Sequence, residues 1–187
     1  MDDYSKVEEF YLTAHKINPR DIFTIYMLGS LYSGQYRYSE AEEYFKKALS
    51  LDPKDTFSLI NLGALYYDIK EYIKTEELYL KVIEIDPECS FVLNILGKLC
   101  HNKNNYKEAL EYYLKSFEIN PKNIDVLLNL GDFYYDKKEY TNTMEYYIKL
   151  VEISELIPFR VECFLREFMT FTRQVELIKE NYNLREN

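Results

Sequence analysis

The sequence predicts an all-α fold, a solenoid of repeated helix pairs. Three observations carry that reading. Pro19, Pro53, Pro87 and Pro121 are 34 residues apart (53 − 19, 87 − 53, 121 − 87). Gly29, Gly63, Gly97 and Gly131 keep the same spacing, and two residue types locked to one period mark an internal repeat. Within each period the apolar residues recur in steps of three and four, as amphipathic helices require.

The elements follow in order. Residues 4–21 hold one helix, 4–17, with Phe10, Tyr11 and Ile17. It has the pattern of a second helix without a first, so it reads as a partial repeat, either a piece of a longer array or an unusual start. Residues 22–55, 56–89, 90–123 and 124–157 are four helix-turn-helix units. In the second unit Phe57, Leu59, Ile60, Leu62, Leu65, Tyr66 and Ile69 mark one helix. Tyr72, Ile73, Leu78, Tyr79, Val82, Ile83 and Ile85 mark the next. Pro87 closes it, because proline lacks an amide donor and clashes with the preceding turn. Asp21, Asp55 and Asn123 stand where an N-cap is expected. In the third unit Cys89 and Ser90 occupy that place, and Ser90 is the expected cap. Residues 158–187 break the pattern and read as a C-terminal capping segment. It opens on Pro158 at a helix start and carries Val161, Phe164, Leu165, Phe168, Met169 and Phe171. Leu165 falls where the glycine column would continue, and its bulk should stop a further regular repeat from docking.

Each column of the repeat has a physical task. A glycine in mid-helix costs about 1 kcal/mol against alanine, so its recurrence implies another backbone approaching too closely for a side chain. Ala41, Thr75, Ala109 and Thr143 are the small residues expected to face those glycines. Phe45, Tyr79, Tyr113 and Tyr147 form one aromatic column, and Tyr38, Tyr72, Tyr106 and Tyr140 a second. Leu28, Leu62, Leu96 and Leu130 form an aliphatic one. Stability should come from packing between neighbouring repeats.

Composition limits the function classes. The chain of 187 residues is 47% hydrophobic and 29% charged, too apolar for disorder. Its net charge is −9, from 32 acidic and 23 basic side chains. That disfavours nucleic acid and an anionic membrane surface, both of which need a basic face. A protein or peptide partner that is apolar, basic or both is permitted. The start Met1-Asp2-Asp3 is not that of a signal peptide, and no stretch is apolar and long enough to span a bilayer. Cys89, Cys100 and Cys163 form no CxxC pair, which points to reduced thiols and a cytoplasmic location.

The residues for catalysis are not assembled, and the expectation is a protein that is not an enzyme, with no cofactor and no metal. His15 and His101 are the two histidines. Cys100 and His101 are adjacent, so they point about 100° apart on a helix and suit neither a nucleophile–base pair nor a chelate. Glu40, Glu42, Glu43, Glu76, Glu77, Glu108 and Glu111 fall on second helices and read as a solvated face. No phosphate-binding loop, zinc spacing or nucleophile elbow occurs.

The columns resemble the tetratricopeptide repeat (TPR) family. The first two units read LGSLY…A…F…A…P and LGALY…T…Y…V…P. The third reads LGKLC…A…Y…S…P and the fourth LGDFY…T…Y…L. The departures are small. Ile25, Leu59, Leu93 and Leu127 stand in the family's tryptophan column, Cys100 replaces a tyrosine and Glu155 the last proline. The resemblance implies a right-handed α-solenoid of TPR helix-turn-helix repeats, with first helices lining a concave groove that binds an extended peptide or a partner helix.

On that footing the expected groove can be named. Phe23, Phe57, Phe91 and Asp125 form its outermost column. Tyr26, Ile60, Asn94 and Leu128 lie beside it, then Met27, Asn61 and Asn129. Lys98 and Asp132, then Tyr67 and Tyr135, lie further in. The surface runs from aromatic to acidic, with Lys98 as its base. The carboxylate clamp of chaperone-tail-binding TPR domains is not matched, since its positions lack the cations. The asparagine ladder of protein O-glycosyltransferase arrays is matched only by Asn61 and Asn129. The expected function is a non-catalytic protein-interaction module. The alternatives are a self-associating scaffold, or the TPR regulatory part of a larger enzyme such as a protein O-glycosyltransferase.

Overall fold

The computed structural model describes residues 2–154 and 158–168. Among these residues every regular element is a helix. The order is α1 (Asp2–Ile17), α2 (Ile22–Gly34), α3 (Tyr38–Leu51), α4 (Thr56–Asp68), α5 (Tyr72–Ile85), α6 (Ser90–Asn102), α7 (Tyr106–Ile119), α8 (Ile124–Asp136) and α9 (Tyr140–Ile153). Residues 159–168 are also helical and are called α10. Met169 and Phe171 of the expected cap lie outside the described residues. The chain divides into two compact units, Met1–Asn105 and Tyr106–Asn187.

The helix ends follow from local chemistry. The Asp21 carboxylate accepts the Thr24 N–H at 2.9 Å and Asp55 accepts that of Ser58 at 3.1 Å. Asn123 accepts from Asp125 and Val126 at 2.9 and 3.2 Å. Each satisfies amides that a helix start leaves without partners. The expectation for Ser90 fails. Cys89 is the cap residue of α6 and makes no side-chain capping bond, while Ser90 is already helical. Between first and second helices the chain turns through one left-handed residue: Tyr36, Lys70, Asn104 or Lys138, each with φ of 60–65°. The next amide then returns to the first helix, as from Arg37 to the Tyr32 carbonyl at 2.9 Å and from Glu71 to that of Tyr66 at 2.8 Å.

In the first unit α2 packs on α1 and α3, α4 on α3 and α5, and α6 on α5. Leu28, Tyr32, Ala41, Phe45, Leu62, Leu65 and Tyr66 form one buried cluster. In the second unit α8 packs on α7 and α9. Val126, Leu127, Leu130 and Leu150 are fully buried there, and Tyr134 stacks on Tyr146 with centroids 5.6 Å apart.

The glycine column has a different cause from the one expected. A Cβ on Gly29 would lie 2.7 Å from Cε1 of Phe45, and one on Gly63 or Gly131 closer still to the same atom of Tyr79 or Tyr147. An aromatic ring of the second helix fills the space, not a backbone. The small column has its own role: the Thr75 hydroxyl donates to the Gly63 carbonyl at 3.2 Å. Gly34, at the end of α2, meets nothing within 4 Å.

The acidic second-helix face is also not wholly solvated. Glu8 of α1 accepts the Tyr32 hydroxyl of α2 at 3.1 Å, and Glu42 of α3 accepts that of Tyr66 of α4 at 2.7 Å. The two bonds are one repeat apart (42 − 8 and 66 − 32) and join a second helix to the next first helix. In the third unit Cys100 replaces the tyrosine, and Glu76 instead pairs with Lys103 at the end of α6. Arg37 adds a contact to Glu8 at 3.2 Å and lies over the Tyr32 ring.

Candidate protein-binding face

In the first unit the first turns of α2, α4 and α6 present Phe23, Phe57 and Phe91, which are 65%, 65% and 50% exposed. The cause lies in the 3.6-residue period. Ile25, Leu59 and Leu93 point into the core, and residues two places earlier fall on the opposite side. Tyr26 lies beside Phe57 with ring centroids 5.8 Å apart. Ile22, Phe23, Tyr26, Asp55 and Phe57 line a pocket of about 240 Å³. Ile22 and Asp55 were not expected in it. Asp55 has a sequence signal as a helix cap, but nothing in the helix period marks it as a pocket wall.

Other expected residues sit nearby with partners of their own. Asn61 donates its side-chain amide to the Phe57 carbonyl at 2.9 Å and to the Tyr26 hydroxyl at 3.4 Å. It therefore braces the aromatic pair. Ile60 and Met27 are half-buried. The Lys98 ammonium lies 5.6 Å from the Tyr67 ring centroid, within cation–π range. Phe91 meets the Tyr79 ring at 6.4 Å. Asn94 departs from the expected display. It is only 5% exposed and offers almost no surface.

The second unit presents its expected residues differently. Asp125 is exposed at the first turn of α8, and Leu128 and Asn129 are half-buried. Asp132 does not stand as free negative charge. It accepts the Tyr147 hydroxyl at 2.6 Å and forms an ion pair with Arg160 of α10. Phe164 of α10 contacts Tyr135 at 5.7 Å and Tyr147 at 5.5 Å. Val161 is fully buried. Arg160 of the capping segment is thus a base beside Asp132 that the expected residues did not include. Burial and the hydrogen bond to Asp132 push the Tyr147 phenol above its ordinary range.

Among the described residues no group of three or more His, Cys, Asp or Glu is placed to hold a metal. Cys89, Cys100 and Cys163 form no disulfide among the described residues. No helix there is long and apolar enough to cross a membrane.

Comparison with known proteins gives the family. The model described as tetratricopeptide repeat matches residues 24–55, 58–89 and 124–155, which is 96 (3 × 32) of the 187 residues. The chain belongs to the tetratricopeptide repeat family. A second model, described as TPR repeat, matches residues 97–138. No curated protein matches the sequence.

Solved structures share the TPR fold. A crystal structure of MamA superposes with a TM-score of 0.71 at 22% identity, over 81% of this chain and 88% of that one. Pseudomonas aeruginosa pilF gives 0.74 at 22% identity, over 97% and 91%. The Cut9–Hcn1 hetero-tetramer of the APC/C gives 0.71 at 18% identity, over 81% of this chain and 29% of that one. These likenesses are of fold. Membership of the TPR family makes the chain a protein-interaction module in the general sense.

Proposed function

We propose that the chain is a non-catalytic adaptor that binds a partner protein on the first-helix face of its first unit. One observation carries this reading. Phe23, Phe57 and Phe91 recur at the 34-residue period and are all largely exposed, beside a ring-lined pocket. Three large apolar side chains aligned on one face cost solubility, and such patches commonly mark interaction sites. The partner is an extended peptide or a helix with apolar and basic side chains. The groove residues are Phe23, Tyr26, Met27, Phe57, Ile60, Asn61, Tyr67, Phe91 and Lys98. In the second unit, Asp125, Leu128 and Asn129 are further proposed contact residues, and the cytoplasm is the expected compartment. The test is capture of partners from source-cell lysate by wild type and Phe57→Glu side by side, with helicity measured on both. A partner held by the first and lost by the equally helical second supports the reading. Unfolding of the variant, or equal capture by both, overturns it.

A second reading has its own observation. Val7 of α1 stands in the column where Ala41 and Thr75 are fully buried, yet it is 41% exposed, and Phe10 and Ile17 are exposed with it. That face of α1 is the one through which the chain would self-associate as a scaffold. A mass by light scattering that rises with concentration in wild type, and stays at one chain in Phe10→Glu, supports self-association.

A further inference from the structure

The pocket between the starts of α2 and α4 combines two chemistries that the phenylalanine column alone does not have. Its walls are the rings of Phe23, Tyr26 and Phe57 with Ile22, and its single ionisable wall of carboxylate type is Asp55. One oxygen of Asp55 accepts the Ser58 N–H at 3.1 Å. The other has no hydrogen-bond partner among the described residues. The same column holds Asp21, whose carboxylate takes both the amide and the hydroxyl of Thr24, and the uncharged Asn123. Arg20 and Lys54 adjoin two of these caps in sequence, but both are exposed and neither lines the pocket.

We propose that this pocket receives an arginine side chain of the partner protein, its guanidinium lying on the Phe23 and Phe57 rings and hydrogen-bonded to Asp55. The inference rests on the reading of this face as a protein-binding surface and gives it a specificity. Charge decides the class of occupant. An apolar side chain would strip water from the carboxylate and return no partner, which is costly. Geometry then decides between the bases. The planar guanidinium stacks on rings and forks onto a carboxylate, whereas an ammonium is a compact, strongly hydrated point charge. A net charge of −9 favours the approach of a basic partner. The positive end of the α4 dipole opposes a cation, but its equivalent of about half a charge is outweighed by the full charge of Asp55. The second unit contains the same pairing within the chain. There Arg160 meets Asp132, which Tyr147 also contacts, and Phe164 packs on the Tyr147 ring.

The test uses the full chain, labelled with nitrogen-15, and three capped pentapeptides, Ala-Ala-Xaa-Ala-Ala, with Xaa as arginine, lysine or leucine. Amide shifts of Phe23, Phe57 and Ser58 report on the pocket. The expected result is a saturable shift with the arginine peptide and an affinity about tenfold weaker with lysine or leucine. Asp55→Asn should remove that preference and leave the fold intact. Asparagine caps helices as well as aspartate does, and Asn123 already does so in this column. Equal binding of the leucine peptide, unchanged arginine affinity in Asp55→Asn, or no saturable shift would each overturn the proposal. Its failure is separable from that of the binding face. A partner lost by Phe57→Glu but held undiminished by Asp55→Asn would keep the face and remove the arginine pocket.

Discussion

Phe57 and Tyr147 are both large aromatic residues of a repeat column, and they live in opposite surroundings. Phe57 stands in the first unit at 65% exposure, with Tyr26 on one side of it and water on the other. Tyr147 is 3% exposed, lies over Gly131, gives its hydroxyl to Asp132 and carries Phe164 on its ring. The difference separates two uses of aromatic surface in one repeat. On the second helix it fills the space a glycine leaves and holds a helix pair together. At the first turn of the first helix it is left open. In the second unit α10 also covers first-helix residues, Asp132 and Tyr135, with its own arginine and phenylalanine.

Alkali should strike the buried class hardest. Burial and the hydrogen bond to Glu8 push the Tyr32 phenol up to about 12. Its protonated form is thus favoured in the fold. Its contribution is complete below the unfolded value of about 10 and is lost as pH rises through 12. The difference in tyrosinate absorbance between wild type and Tyr32→Phe isolates this phenol, and it should rise only above about pH 10, together with a loss of helicity. A Tyr32 difference signal centred near pH 10 in a fully helical chain would contradict this.

Point substitutions come next in size. Tyr147→Ala should cost about 3–5 kcal/mol, while Phe57→Ala should stay within about 0.5 kcal/mol. Denaturant melts of the two variants read the contrast directly, and equal losses would erase it. Gly131→Ala places a methyl against the Tyr147 ring and should cost about 1–3 kcal/mol. Gly34→Ala meets open space and should be neutral or gain up to about 1 kcal/mol. The smallest effect is at the exposed end of the cap. Arg160→Met keeps most of the stem but loses the ion pair with Asp132, worth under about 1 kcal/mol at a half-exposed site.

Most of the fold was legible because a repeat states its period many times. The proline and glycine columns placed the helices, and three of the four cap positions behaved as the side chains dictated. The fourth failed because Cys89 holds the cap position with a side chain that makes no capping bond. The glycine column was located correctly but explained wrongly. Spacing along a helix shows which residues share a face, but not whether a ring or a backbone fills the gap opposite. The same limit hid the contacts from Glu8 to Tyr32 and Glu42 to Tyr66. Their shared period was present in the sequence, yet a carboxylate on an outer helix face looks solvated until its partner helix is placed. The phenylalanine column of the first turns was legible as a pattern, and its rings are exposed. The place of Asp55 among them was not, because a loop residue obeys no helical period.

Those carboxylate–tyrosine contacts also work as a rule of succession. A unit ending in a glutamate at this column fits any unit beginning with the matching tyrosine. Residues 56–89, like residues 22–55 with Tyr32 and Glu42 before them, carry both, Tyr66 on the leading helix and Glu76 on the trailing one. This segment could therefore be copied in tandem, each copy meeting the next as Glu42 meets Tyr66. The unit after it, with Cys100 and Leu110 at the two positions, has neither half of the joint. The capacity of the array to lengthen by duplication thus resides in its first two repeats.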